Sequence, residues 1–251
     1  MAKNTDKNSY TIIFAVIMVI VVGSLLAGVA QGLKSKITLN ERFEKMQNIL
    51  YAMGVNDNEG EGDVAFIATN KVEAEFSKYI TKQLVIQGDK ITEDPEAYLI
   101  DIKKEEALAK KGDYERRLPL FVGEKDGETI YVIPMRGKGL WGAIWGFVAI
   151  DKSLIVKGVF FDHAGETPGL GAEIKQRYFM DDFSGEQIMN GNAFKGISVA
   201  KGNNDPLNER KDDQKVDALA GATITGNGVT AMIKKDIARY VPYLEKLNNE
   251  K

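Results

Sequence analysis

Two threonines lie in a run of small residues near the C-terminus, and either hydroxyl group could accept a phosphate. The run reads DALAGATITGNG from Asp217 to Gly228, with Thr223 and Thr225 near its centre. Glycine tolerates a positive φ and lets another group approach the backbone closely. Apolar residues then recur at helical spacing, and Asn227 is a suitable N-cap, so the sequence predicts that both threonines precede a helix. The N-terminus of a helix favours a phosphate, but the same residues would also suit a helix-entry turn with no ligand.

A second segment, HAGETPGLG from His163 to Gly171, predicts a rigid turn because it combines a proline with several glycines. Such a turn exposes backbone N–H and C=O groups that could bind the polar edge of an aromatic ligand. It would equally suit an ordinary connection between a strand and a helix. We expect His163, the single histidine, to be a surface residue, and Glu166 to order the turn rather than to do acid–base chemistry.

A third segment, GKGLWG from Gly137 to Gly142, matches the dinucleotide fingerprint G-x-G-x-x-G by letter. That fingerprint requires a helix after the glycines. The residues that follow, AIWGFVAI, are bulky and predict a strand, so we exclude a Rossmann site. The two tryptophans, Trp141 and Trp145, would then either pack in the core or border a ligand.

Taken together, the three segments resemble one family of bacterial flavoproteins. The sequence from Asp217 to Thr223 resembles the flavinylation motif of bacterial FMN-binding domains, and the segments around Trp141 and from Glu166 to Gly171 resemble two further hallmarks of that family. The chain is most similar to the C subunits of the Na⁺-translocating NADH:quinone reductases. The G subunit of the Rnf electron-transport complex shares these motifs and is the alternative. The Gly-Leu-Trp context and the loop over residues 201–215 favour the quinone reductase.

The resemblance implies a covalent FMN, joined through its phosphate to Thr223 by a flavin transferase. It also implies which residues surround the cofactor: Leu140, Trp141, Glu166, Thr167, Leu170, Gly171, Asp217, Gly221, Ala222 and Thr225. The family usually has Ser or Thr at the position of Ala220, where this chain differs. A cofactor attached by an ester bond cannot dissociate from a shallow site, whereas the helix dipole alone would stabilise a phosphate by only about 0.3–1 kcal/mol.

The implied function is the relay of single electrons within a respiratory complex of the membrane. In the family, the flavin receives electrons from an iron centre in the membrane subunits and passes them to the flavin of the B subunit. The implied partners are the B, D and E subunits and the NADH-oxidising F subunit. The chain would thus be an electron carrier within an enzyme and would have no catalytic residues of its own. Two other hypotheses are a membrane-anchored binding domain without a cofactor and a hydrolase with Thr223 as nucleophile, which lacks an evident base nearby.

Composition excludes several other kinds of site. The chain has 251 residues, a formal net charge of −3, no cysteine and one histidine. Without cysteine there are no disulfides, no Cys-ligated clusters and no thiol catalysis, and a single histidine argues against a His-based metal site. No basic run with interleaved aromatic residues predicts nucleic-acid binding.

An apolar segment near the N-terminus predicts a membrane anchor. Tyr10 to Ala30 contains no charged residue and as a helix would span the hydrocarbon core of about 30 Å. A cleaved signal peptide is the alternative, but the run is longer than a typical signal sequence. The flanking charges, Lys3 and Lys7 before the run and basic residues after it, do not decide the orientation. The resemblance implies a cytoplasmic N-terminus and an exported domain on the periplasmic side of the bacterial inner membrane.

The sequence predicts an α+β protein: one N-terminal transmembrane helix, then an FMN-binding domain with an antiparallel sheet and flanking helices. We expect a cytoplasmic terminus over 1–9, a span over 10–30, a helical connector with the first part of the soluble domain over 31–100, and the FMN-binding domain over 101–251. A helix should end near Gly54, and a weaker helix should cover 64–82. A solvated segment is expected over 103–117, and strands over 84–87, 118–122, 129–134, 143–150 and 154–161.

Overall fold

A computed structural model of the protein describes residues 8–60, 62–202 and 205–249. The chain forms two units, residues 1–43 and residues 44–251. Lys3 and Lys7 lie outside the described residues, as do residues 203–204 of the loop before Asp217.

The first unit consists, in its described part, of one long helix. This helix, α1, runs from Asn8 to Ala52 and continues into the second unit. Its apolar side chains from Tyr10 to Val29 are exposed, in contrast to those of a buried core helix. Among the described residues, α1 is the one helix that is long enough and apolar enough to cross a membrane.

The C-terminal end of α1 belongs to the second unit and is buried there. Gly54 adopts a φ of 73°, a left-handed conformation that glycine takes without strain. The N–H of Val55 donates to the oxygen of Leu50 at 2.9 Å, and that of Gly54 donates to the oxygen of Tyr51 at 2.9 Å. These bonds satisfy the last carbonyl groups of the helix. The predicted end near Gly54 is confirmed.

The second unit is built on an antiparallel sheet of six strands. Their order across the sheet is β2-β1-β3-β4-β5-β6. The strands are β1 (Ile80–Gln87), β2 (Lys90–Glu93), β3 (Leu118–Lys125), β4 (Glu128–Lys138), β5 (Ala143–Asp151) and β6 (Val156–His163). The predicted α+β class, with an N-terminal apolar helix and an antiparallel sheet, is confirmed.

A two-residue turn, Asp126-Gly127, joins β3 to β4. Asp126 and Gly127 both take positive φ values, 54° and 79°, between the paired residues Lys125 and Glu128. Two positive φ values define a type I′ turn, whose twist matches that of the flanking strands. The Asp-Gly pair therefore fixes the register of the central hairpin.

One prediction in the N-terminal half of this unit was wrong. The helix expected over 64–82 is confined to α2 (Val72–Tyr79), and β1 follows it directly. The segment expected to be solvated over 103–117 is mostly exposed, and it includes most of α3 (Ile102–Ala109), which is capped by Asp101, whose carboxylate accepts bonds from two backbone N–H groups. Glu105 of α3 is the exception: it is buried, and its charge pairs with Arg117, whose side chain is 44% exposed. A pair between residues 12 positions apart leaves no signal in the charge pattern.

Further α-helices and short strands follow β6 in the chain. They are α4 (Arg177–Asp181), β7 (Met189–Asn190), β8 (Ala193–Phe194), β9 (Ser198–Val199), β10 (Lys215–Val216), α5 (Thr223–Ile237) and α6 (Val241–Asn249). α5 packs closely on β4: a Cβ at Gly137 would lie 2.8 Å from Met232. The buried carboxylate of Asp236 also accepts the N–H of Arg136 at 2.8 Å. These contacts fix the C-terminal half of α5 against the end of β4.

Candidate functional site

The helix that carries Thr223 begins earlier than the sequence predicts. α5 starts at Thr223 itself, whereas the sequence places the N-cap at Asn227. The glycines that suggest a turn lie inside the helix, where they allow it to approach other elements. A Cβ on Gly228 would overlap the main-chain oxygen of Lys138. The prediction that both threonines precede the helix was therefore wrong, and they occupy its first turn.

Thr223 lies at the exposed N-terminus of this helix of 15 residues. Gly221 turns the chain into the helix with a φ of 67°. The N-cap residue, Ala222, has no side-chain acceptor, so it does not satisfy the first N–H groups of the helix. These groups and the helix dipole favour an anionic group at Thr223.

Thr225 has a different environment, although it is only two residues away. Its side chain is 1% exposed. Its hydroxyl donates a hydrogen bond of 2.5 Å to Oε2 of Glu166. The two threonines can therefore be distinguished: the hydroxyl of Thr223 is accessible, and that of Thr225 is buried and already bonded.

Glu166 accepts hydrogen bonds from two parts of the site. Besides Thr225, its carboxylate accepts the backbone N–H groups of Leu140 at 3.2 Å, Trp141 at 2.9 Å and Gly142 at 3.3 Å. Burial on its own would raise the pKa of Glu166, but the bonds from Thr225 and the three N–H groups outweigh burial and lower it. Glu166 is therefore an anion that orders the turn between β4 and β5. Both of its oxygens already accept hydrogen bonds, so it is not placed to act as a base.

Large apolar side chains are exposed around the N-terminus of α5. Leu140, Trp141, Leu170 and Ile224 are 44%, 70%, 41% and 57% exposed. The indole N–H of Trp141 donates to the hydroxyl of Thr167 at 3.1 Å, so two of the predicted segments meet there. Side chains of this size are normally buried, and several exposed ones near each other indicate a binding surface. The interpretation of Trp141 as a core residue is excluded.

Glycines bring the Pro168 turn, residues 164–171, against the start of α5. A Cβ at Gly221 would lie 2.7 Å from Leu170, and one at Gly171 would lie 2.5 Å from the hydroxyl of Thr225. Real Cβ atoms do not approach so closely, so the contact at Gly171 requires glycine, while Gly221 is favoured mainly by its positive φ. The structure therefore brings together the Trp141 turn (residues 139–142), the Pro168 turn and Thr223.

Asp217 stands apart from this group. Its Oδ2 atom is buried and has no hydrogen-bond partner among the described residues. Burial raises the pKa of Asp182 to about 6, and the charge of Asp217 adds to that effect, which places Asp217 towards Asp182. The structure gives it no hydrogen bond to the turn that carries Thr223.

Two residues at the site were missed or misplaced by the sequence analysis. His163 is half-buried rather than a surface residue, and its Nδ1 accepts the N–H of Glu166 at 3.1 Å. The neutral ring then carries its proton on Nε2, which is buried and has no partner among the described residues. Ile224 was not selected, although a large apolar residue directly after Thr223 could have indicated a surface that binds an aromatic group.

The dinucleotide fingerprint at residues 137–142 is a coincidence of letters. Its glycines join the end of β4 to the start of β5, and no helix follows them. Gly139 is required for another reason, because a Cβ there would lie 2.6 Å from Oε1 of Glu166. The exclusion of a Rossmann site is confirmed.

Comparison with known proteins agrees with this geometry. Residues 139–238 match the FMN-binding domain family, and this range includes the Trp141 turn, the Pro168 turn and all of α5. The C subunit of the Na⁺-translocating NADH-quinone reductase of Neisseria meningitidis serogroup B is 30% identical over 99% of this chain and 98% of its own length.

Solved structures give the same result. The crystal structure of the C subunit of this reductase from Parabacteroides distasonis has a TM-score of 0.70 and 30% identity, and the match covers 84% of this chain and 96% of that one. The NqrC protein of Shewanella oneidensis has a TM-score of 0.64 and 26% identity, over 82% and 99% of the two chains. The chain belongs to the family of C subunits of the Na⁺-translocating NADH-quinone reductases, and it contains an FMN-binding domain.

Proposed function

We propose that this chain carries FMN as a phosphate ester on Thr223. The observation that supports this assignment is the contrast between the two threonines of α5. The hydroxyl of Thr223 is exposed at the helix N-terminus, whereas Thr225 is 1% exposed and its hydroxyl is bonded to Glu166. A transferase can therefore reach Thr223 without unfolding the helix.

The attachment reaction uses FAD as the source of FMN. The Thr223 oxygen forms a bond to the phosphorus of the FMN half, the bond between the two phosphates breaks, and AMP leaves. The hydroxyl proton is lost to the transferase or to solvent. The first-turn N–H groups of α5 favour the resulting phosphate diester, because its remaining charge lies at the positive end of the helix dipole.

The residues around Thr223 fit the rest of the cofactor. Leu140, Trp141 and Leu170 offer exposed apolar surface for a flat aromatic ring. Thr167 and Gly171 would lie at its polar edge, while Gly221 and Ala222 allow close approach of the backbone. Glu166 and Thr225 support this arrangement from below the surface.

Within the complex, the chain serves as an electron carrier. Bound flavin can exchange electrons one at a time, and the protein sets its position and potential. We propose that this chain relays electrons among the other subunits of a Na⁺-translocating NADH:quinone reductase. In this arrangement, residues 10–30 of α1 are retained as a single membrane anchor. Residues 1–9 lie in the cytoplasm and residues 31–251, with the FMN-binding domain, lie on the outer side.

Mass spectrometry of the protein co-expressed with a flavin transferase tests the proposal. The wild-type chain should gain the mass of one FMN less one water, and Thr223→Ala should abolish the gain. Thr225→Ser keeps a hydroxyl at the other position and should retain it. A peptide map that placed the flavin on Thr225, or a wild-type chain without flavin, would overturn the assignment.

A further inference from the structure

The carboxylate of Glu166 is buried without a cation beside it. It is 4% exposed. None of the ion pairs formed by the described residues includes it. Its charge is stabilised instead by four hydrogen-bond donors, three from the backbone and one from Thr225. A bond to an ionised group is stronger than one between neutral groups, so these contacts hold their donors firmly.

The donors to this carboxylate come from two elements, and one oxygen, Oε2, accepts from both of them. Oε1 accepts the N–H groups of Trp141 and Gly142, both in the Trp141 turn. Oε2 accepts the N–H of Leu140 and the hydroxyl of Thr225, which belongs to α5. One side chain therefore links the turn between β4 and β5 to the first turn of α5.

We propose that Glu166 is a positioning residue that holds Trp141 and Thr223 in a fixed relation through Thr225. Because Thr225 is two residues after Thr223 in the same helical turn, fixing one fixes the other. The assignment deepens the proposed function, since a ring attached at Thr223 would meet Trp141 at a distance set by this link. The link itself exists in the protein without flavin, and can be tested there.

The charge of Glu166 has a second consequence. A buried negative charge is poorly screened by solvent and disfavours additional negative charge nearby. Reduction adds electrons to a flavin, so Glu166 should lower the reduction potential of a flavin bound at this surface. Thr225 has no charge and should affect the position of the ring far more than its potential.

The first experiment measures the link without flavin, by hydrogen exchange of the full-length chain carrying Thr223→Ala. Adding Thr225→Val removes the hydroxyl and keeps the shape of the side chain. We expect the N–H groups of Leu140 and Trp141 to exchange about tenfold faster, because Oε2 of Glu166 loses the donor that fixes it. Thr225→Ser should restore the slow exchange.

A matched control lies in the same helix. The hydroxyl of Thr230 donates to Gly226 and accepts the N–H of Val199, so it faces β9 rather than Glu166. Thr230→Val should leave exchange in the Trp141 turn unchanged. Unchanged exchange in Thr225→Val, or equal acceleration by both valine variants, would overturn the positioning role.

The second experiment measures the reduction potential and fluorescence of the flavin-loaded chain. Glu166→Gln should raise the potential, because the charge is lost, and should alter the fluorescence, because an amide cannot accept bonds at both ends. Thr225→Val should alter the fluorescence with little change in potential. Glu105→Gln, which removes another buried carboxylate, should change neither.

The two proposals can fail separately. If the wild-type chain carries no flavin, the proposed function fails, and hydrogen exchange in the Thr223→Ala background still decides the positioning role. If flavin is attached but Glu166→Gln keeps the wild-type potential and fluorescence, the positioning role fails while attachment at Thr223 stands.

Discussion

Two buried glutamates in this protein have opposite electrostatic behaviour. Glu166, at the candidate flavin site, is 4% exposed, and Glu186, in the segment between α4 and β7, is 0% exposed. Glu166 accepts four hydrogen bonds, which outweigh the effect of burial, and its pKa is lowered. Neither oxygen of Glu186 has a hydrogen-bond partner among the described residues, and burial raises its pKa to about 7.

The surroundings of Glu186 explain why its burial is not compensated. The amine of Lys211 and the amide of Asn208 both donate to the main-chain oxygen of Asp182. Lys211 and Asn208 still lower the pKa of Glu186, but the carboxylates of Asp205 and Asp213 oppose them. A cation and an amide are therefore close enough to lower the pKa of Glu186, but their effect does not offset its burial.

The comparison shows that donors, rather than burial, decide whether a buried carboxylate keeps its charge. At Glu166 the backbone supplies fixed donors, and the anion is a stable part of the site. At Glu186 burial outweighs the donor and the cation nearby, so its pKa of about 7 leaves the group partly protonated near neutral pH. The flavin side of the domain therefore carries a permanent charge, and the side around α4 carries one that depends on pH.

The largest effect should come from replacing Glu186. Its folded-state pKa of about 7 lies above the ordinary value of 4.5. The folded protein therefore holds a proton that the unfolded chain releases between these pH values. The bound proton stabilises the folded state, and this stabilisation is complete below pH 4.5. As the pH rises to 7, the free energy of unfolding falls by about 3 kcal/mol. Glu186→Gln should remove that loss.

Denaturant unfolding of the full-length chain in detergent at several pH values measures this change. Part of the loss should remain in Glu186→Gln, because burial also raises the pKa of Asp182 to about 6. Glu105→Gln is the control, since the pKa of Glu105 is lowered in the folded protein, so this group does not lose stability as the pH rises. An unchanged pH dependence in Glu186→Gln would contradict the comparison.

A smaller effect should come from disturbing the packing beneath Glu166. A Cβ at Gly171 would lie 2.6 Å from Oε2 of Glu166 and 2.5 Å from the hydroxyl of Thr225. Gly171→Ala should destabilise the fold by about 1–3 kcal/mol, as overpacking of a well-packed site does. Gly165→Ala is the matched control in the same turn, because nothing lies within 4 Å of its added carbon. Equal thermal stability of the two variants would show that the turn is loose.

The parts of the fold that depend on local sequence were predictable. The β3–β4 hairpin follows from two apolar runs that flank Asp126 and Gly127, and the end of α1 follows from Gly54. The start of α5 could not be predicted, because Gly228 lies in the helix to approach Lys138, which is distant in the chain. Local propensity predicts a turn at such glycines, and tertiary packing overrides it.

The candidate site was predictable in its members but not in its connections. Motif resemblance identified the three segments, and the structure brings the Trp141 turn and the Pro168 turn to Thr223. The bond from Thr225 to Glu166 joins residues 59 positions apart. The motif also does not predict that Asp217 lacks a hydrogen bond to the turn that carries Thr223. The sequence identifies the residues of the site, while the fold decides which of them form hydrogen bonds with each other.

The smallest effect should come from removing the cation near Glu186. The side chain of Lys211 passes within 3.5 Å of the position of a Cβ on Gly185, and its charge lowers the pKa of Glu186. Lys211→Gln should therefore raise the pKa of Glu186 further, by a smaller step than burial produces. A titration of the Glu186 carboxyl carbon by NMR measures it.

The control for this titration is Lys215→Gln, which removes an exposed cation that pairs with Asp213 at 3.9 Å. Lys215 is not among the main groups that shift the pKa of Glu186, so this variant should change the titration less than Lys211→Gln does. If Lys211→Gln lowered the pKa, the amine would not act as a partial counter-charge. Glu166 needs no cation because the backbone supplies most of its donors. The explanation of Glu186 as a carboxylate that is only partly compensated by a cation would then be wrong.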